Sequence, residues 1–122
     1  MLQGNFYNIK SIEVETGSGK ASIGLNHEHE IFKGHFPETP VVPGVCMMQM
    51  VKEVLEDLLA KKTNLIRADH MKFLSVINPE LTNSIEMQLQ YTIADDGDVF
   101  TTASLFNDGV IYFKFKGILR PE

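Results

Sequence analysis

The stretch GHFPETPVVPGV, Gly34 to Val45, sets a histidine in a proline-rich loop that ends at the foot of a long apolar segment. Prolines at that density stop helix and strand alike. Pro43 nevertheless suits the first turn of a helix, where its missing N–H needs no partner. A helix starting there exposes unpaired backbone N–H groups and a positive dipole end. Gly44 has no side chain to hold a ligand carbonyl away from those groups. Donors that polarise a carbonyl, with His35 nearby to move a proton, suit chemistry at the carbons next to a thioester carbonyl.

Two other constellations compete. Cys46 falls in the first turn of the same helix, where a thiol pKa is lowered, and with His35 it would form a nucleophile pair. It also reads as a small buried residue. His27 and His29 share one face if they lie on a strand, as zinc-binding histidines do. No third ligand is evident, so no metal is expected, and a solvated strand end is the plainer reading. His70 is read as pairing or capping within a sheet.

These residues need elements to position them. Ile12, Val14 and Thr16 alternate with charged or small residues, Gly17 to Lys20 reads as a turn, and Ala21, Ile23 and Leu25 alternate again, which predicts a hairpin. From Pro43, the residues Val45, Met48, Val51, Val54, Leu55, Leu58 and Leu59 recur at helical spacing. The front of this helix is apolar all round except at Gln49 and is expected to be buried. Met47, Met48 and Met50 would fill core or line an acyl tunnel. The back half is expected to turn Lys52, Glu53, Glu56 and Asp57 to water, ending near Asn64. A strand-rich half follows: an extended run to Asn78, then Ile85 to Ile93, Val99 to Phe106 and Val110 to Leu119. Asn107-Asp108-Gly109 marks a hairpin turn, and Ile111, Phe113 and Phe115 share a face. One apolar helix and about six antiparallel strands predict an α+β fold with the sheet wrapped around the helix.

Composition narrows the class. The 122 residues suit one domain spanning the whole chain, with a modest core. Net charge of −5 argues against nucleic acid as a partner. No apolar run reaches the roughly 18 residues of a membrane span, and MLQGNFYNIK lacks the pattern of a signal peptide. With one cysteine and hence no internal disulfide framework, a cytoplasmic protein is the expectation.

GHFPETPVVPGV resembles the H-F-P-G-x-P-x-x-P-G-V signature of 3-hydroxyacyl-[acyl-carrier-protein] dehydratases, and MKFLSVINPELT, Met71 to Thr82, resembles the strand motif of the same family. The resemblance implies a hotdog fold, with His35 taking a proton from C2 of the acyl chain and the Gly44 N–H holding the thioester carbonyl. Phe36, Pro43 and Val45 would line the substrate. It further implies a homodimer or trimer of dimers with the acyl tunnel between subunits. The substrate would ride on the phosphopantetheine of an acyl carrier protein or of coenzyme A, and no cofactor would be needed. An acidic carrier would need a local basic patch, for which Arg67, Lys72 and Arg120 are the candidates.

The chain departs from that pattern at Glu38, where the family has glycine, and at Gln49, where it has the acid that protonates the departing hydroxyl. An amide can hydrogen-bond a hydroxyl but is no carboxylic acid, and general acid help is typically worth about 10²–10⁴ in rate. Glu53, one turn further along the same helix face, and Glu38 in the loop are the alternative acids. Three readings follow: a dehydratase working without the usual acid; an inactive acyl-thioester binding module or partner subunit of an active dehydratase; and a hotdog thioesterase, with Glu53 or His35 activating water.

Overall fold

The structure, a computed structural model, describes residues 2–34 and 41–122. His35, Phe36 and Glu38 lie outside the described residues. The chain order is β1 (Tyr7–Glu15), β2 (Ser18–Leu25), a short α1 (Ile31–Gly34), α2 (Gly44–Leu59), β3 (Thr63–Phe73), β4 (Ser84–Ile93), β5 (Val99–Asn107) and β6 (Val110–Pro121). The strands form one antiparallel sheet in the order β1-β2-β4-β5-β6-β3.

Period-2 patterning does what it predicts in the middle of the sheet. Ile85, Met87 and Leu89 of β4, Leu105 of β5, and Phe113, Phe115 and Leu119 of β6 point inward and join one buried cluster with Met50, Val51, Val54 and Leu55 of α2. The predicted turn at the β5–β6 corner is present: Asp108 and Gly109 both have positive φ, 48° and 82°, as the tight hairpin turn requires. Among the described residues, no helix is long and apolar enough to cross a membrane.

Several expectations fail at the ends of elements. The first hairpin turns at Thr16 and Gly17, not over Gly17 to Lys20: Gly17 takes φ 76°, and Ser18 already pairs with Glu15. Ile12 and Val14 are exposed, because β1 is an edge strand. Ile111 turns outward too, displaced by the bulge between Leu105 and Phe106. Helix α2 stops at Leu59, with Ala60 in the left-handed region, and Asn64 is already in β3. His27 and His29 lie beyond the end of β2, so they do not share a strand face. His29 Nδ1 instead accepts the Ile31 N–H at 3.1 Å, and no metal-binding group of side chains is found among the described residues. His70 stands exposed on β3 opposite Lys116.

Strand β3 pairs on one side only, with β6. Its edge and the segment after it expose Leu65, Ile66, Met71, Phe73, Leu74 and Val76. An unpaired edge beside that much apolar surface invites another chain.

Leu55 is fully buried at the centre of this packing. Leu55→Ala should cost about 2–5 kcal/mol of stability, read from urea unfolding at unchanged slope. A cost below about 1 kcal/mol would mean that α2 is not the core element.

Candidate active site

Helix α2 begins one residue after the Pro43 start that the sequence suggests. Pro43 is the N-cap with extended backbone (φ −62°, ψ 145°), and Gly44 is the first helical residue. The Pro43 carbonyl accepts the N–H groups of Cys46 and Met47 at 3.0 and 3.3 Å. The N–H groups of Gly44 and Val45 have no partner among the described residues. Glycine at 44 has a steric cause: a Cβ there would stand 2.8 Å from the ring of Phe73, which stacks on Phe113 with centroids 4.9 Å apart.

From this helix start a groove of about 600 Å³ runs between α2 and β3. Gly44, Val45, Met48, Gln49 and Lys52 line one wall, and Leu65, Met71 and Phe73 the other. Val45 was expected to be buried but is 79% exposed. A smaller depression of about 360 Å³, lined by Val42, Met47 and Val76 among others, meets the same Gly44–Phe73 contact. The Lys52 ammonium is committed to Glu56 at 3.1 Å, which leaves the Gln49 amide as the polar group with capacity to spare in an otherwise apolar wall.

Behind Gln49 the electrostatics differ from expectation. Glu53 and Glu56 do not face water; both are buried, Glu53 to 3% exposure. Glu53 Oε2 accepts the Leu2 N–H at 2.9 Å and the Gln49 Nε2–H at 2.8 Å. Its Oε1 accepts the Gln3 N–H at 2.9 Å and the Tyr7 hydroxyl at 3.1 Å. Burial pushes the Glu53 carboxyl up, but the Leu2 N–H, the Gln49 amide, the Gln3 N–H and the Tyr7 hydroxyl more than offset it. The group is held below its ordinary 4.5 and has no proton to give. Burial and the neighbouring Glu53 charge in turn raise the Tyr7 pKa. Glu56 is built alike: burial pushes it up, and the Thr63 N–H and Lys52 bring it down. Its carboxylate takes the Thr63 N–H at 2.6 Å, which ties the end of α2 to the start of β3.

Cys46 is buried, in line with its reading as a small core residue, and burial raises its thiol pKa instead of lowering it as the competing nucleophile reading requires. The structure therefore brings together Pro43, Gly44, Val45 and Gln49, and places Glu53 behind Gln49 as its acceptor. Tyr7 and Phe73 were missed from the sequence. Phe73 lies inside the motif quoted for β3, whereas Tyr7 had no signal, since its contact spans 46 residues of chain.

The family model described as ApeI-like, ApeI dehydratase, matches residues 11–114. The chain belongs to the ApeI-like dehydratase family. Curated relatives agree. A Bacillus cereus 3-hydroxyacyl-[acyl-carrier-protein] dehydratase FabZ is 39% identical over 56 residues, 43% of this chain and 38% of that protein. The match thus spans under two fifths of that relative's length. A Thermoanaerobacter FabZ is 29% identical over 112 residues, covering 75% and 79% of the two chains. The dehydratase heterocomplex ApeI:P from Xenorhabdus doucetiae aligns over 92% of this chain and 96% of that one, with TM-score 0.67 at 19% identity. A conserved Pseudomonas aeruginosa protein aligns at TM-score 0.61 and 8% identity. At those identities the likeness is one of fold, and the sheet wrapped on α2 is the hotdog fold of this dehydratase family.

Both buried carboxylates have folded pKa values below 4.5, so their contribution is fully present above that pH and is lost as pH falls through the folded values. Unfolding by urea should therefore show stability falling as the pH drops below the ordinary carboxylate value of 4.5. Glu53→Gln should be about 1–3 kcal/mol less stable at pH 7 and have a flatter acid limb. An acid limb identical to wild type would contradict the ionised Glu53.

Proposed function

We propose that the groove at the start of α2 binds an acyl thioester and that the chain interconverts 3-hydroxyacyl and trans-2-enoyl thioesters with loss or gain of water. One observation supports this reading above others: the N–H groups of Gly44 and Val45, which have no partner among the described residues, belong to residues that line an apolar groove holding one available amide, Gln49. The Gly44 N–H receives the thioester carbonyl and polarises it. His35, in the motif matched to the family, takes the proton from C2. The C2 electron pair forms the new double bond as the C3–O bond breaks. Protonated His35 returns that proton to the departing oxygen, and Gln49 orients the hydroxyl. Water leaves, and no net proton or electron is exchanged. The chain needs no cofactor for this, since the phosphopantetheine arm belongs to the substrate.

A second reading has its own support. With Glu53 ionised and fully bonded, the described part of the groove contains no carboxylic acid. This favours a slow enzyme or an acyl-binding subunit over a fast one. It also weighs against the thioesterase, because a carboxylate with four donors is a poor base.

The test follows loss of enoyl absorbance for crotonyl and longer enoyl thioesters. Wild type should turn over slowly and His35→Ala should lose turnover. Gln49→Glu should gain about 10²-fold or more, the scale of general acid help. Silence from wild type with activity in Gln49→Glu assigns a binding role, and release of free thiol instead of hydration assigns a thioesterase.

The partner that completes the groove is a second copy, pairing along β3. The open edge and its exposed apolar residues support this. The Xenorhabdus relative is a heterocomplex, so a sister dehydratase is the rival occupant.

The carrier is an acyl carrier protein. Of the basic candidates, Arg67 is paired with Asp69 at 3.0 Å and Arg120 with Asp98 at 2.9 Å. Lys72 stands opposite Lys114 on the outer face of the sheet, and His70 opposite Lys116. Together they line a depression of about 420 Å³. In a protein of net charge −5 this is a local cationic patch beside the β3 edge. Lys72→Glu with Lys114→Glu should raise KM about tenfold for carrier-borne substrate at low salt. The neutral N-acetylcysteamine thioester should be untouched. An unchanged KM for the carrier-borne substrate would remove the patch from docking.

A further inference from the structure

The Glu53 cluster does more than hold the fold. Each carboxylate oxygen meets two donors: Leu2 N–H and Gln49 Nε2 on one, Gln3 N–H and Tyr7 hydroxyl on the other. Two of these donors are backbone amides, one on each oxygen, which cannot reverse their role, and with four donors around it the carboxyl is held ionised, in which form it can only accept. The orientation of the Gln49 amide follows from that. Turned over, it would set its carbonyl oxygen against a carboxylate oxygen at the 2.8 Å now spanned by a hydrogen bond. The nitrogen must therefore face Glu53. The carbonyl oxygen Oε1 has no partner among the described residues, and no buried side-chain nitrogen or oxygen atom there lacks one. Gln49 lines the groove, and with Nε2 held by Glu53, Oε1 is the amide atom left for that side.

We infer that Glu53 is a positioning residue that locks the Gln49 amide with its carbonyl oxygen toward the groove, so that the site selects an acyl chain bearing a hydrogen-bond donor. A 3-hydroxyl fits that acceptor. A 3-oxo group, an acceptor only, sets two oxygens against each other, and a saturated chain leaves Oε1 unpaired. A site built to bond a hydroxyl discriminates against the analogue that lacks it, because its own polar group is then stranded. This rests on the reading of the groove as an acyl-thioester site, and the experiment separates the two.

The probes are pantetheine amides of one chain length, saturated, 3-hydroxy and 3-oxo, which resist hydrolysis and elimination; their binding is measured by calorimetry. Wild type should bind the saturated chain, and the 3-hydroxy chain about tenfold more tightly, which is about 1.4 kcal/mol. The 3-oxo chain should gain nothing over the saturated one. Glu53→Gln supplies an amide that can present its own N–H to Gln49 and release it to turn over. This variant should keep the saturated chain and lose or reverse the hydroxyl preference. Gln49→Leu leaves Glu53 in place and serves if Glu53→Gln does not fold; it should keep the saturated chain and show no preference. Equal binding of all three chains by wild type overturns the inference alone, as does an undiminished hydroxyl preference in either variant. Failure of wild type to bind any chain overturns the reading of the groove and the inference with it.

Discussion

An apolar helix in water has to be covered, and one sheet covers this one. That constraint organises the rest of the chain. The central strands β4, β5 and β6 turn alternate side chains onto α2, and the long crossing of the order β2-β4 and β6-β3 lets one sheet curl around it. The cover stops at β3. There the front of α2 stays open, with Val45 exposed and Gln49 lining a groove. The same shortfall leaves the β3 edge unpaired, so the groove and the surface that a second subunit would close are one feature of the fold.

The charged residues of α2 serve that arrangement from behind. Glu53 draws the N-terminal segment and Tyr7 onto the helix, while Glu56 turns the chain from α2 into β3. A buried carboxylate is tolerable because its donors are supplied by backbone that would otherwise need other partners. One consequence is that the acid nearest Gln49 is held as an anion. On the proposed reading, the groove offers the amide of Gln49 where the resemblance implies an acid.

Much of this was legible in the sequence. The alternation of Ile85, Met87 and Leu89 and the Asp108-Gly109 turn follow from local geometry, and Pro43-Gly44 marked the helix start to within one residue. Long motifs carried the family likeness. What failed needed contacts between distant residues. Glu53 looks like any solvent-facing helix glutamate until Leu2, 51 positions away, is brought to it. Cys46 offered two readings, reactive helix-end thiol or small buried residue, and the core packed around it decides for the second. Lys114 and Lys116 alternate with Phe113 and Phe115 and so were readable as an outer row. Their meeting with Lys72 depended on β3 crossing to the far edge.

The central claim is that the start of α2 polarises a bound thioester carbonyl through the Gly44 N–H. Isotope-edited infrared spectroscopy of a ¹³C-carbonyl acyl-pantetheine thioester tests it directly. The carbonyl stretch should move to lower wavenumber on binding, in wild type and in Gln49→Leu alike, because the donor is backbone. Saturable binding with the stretch left at its solution position would contradict it.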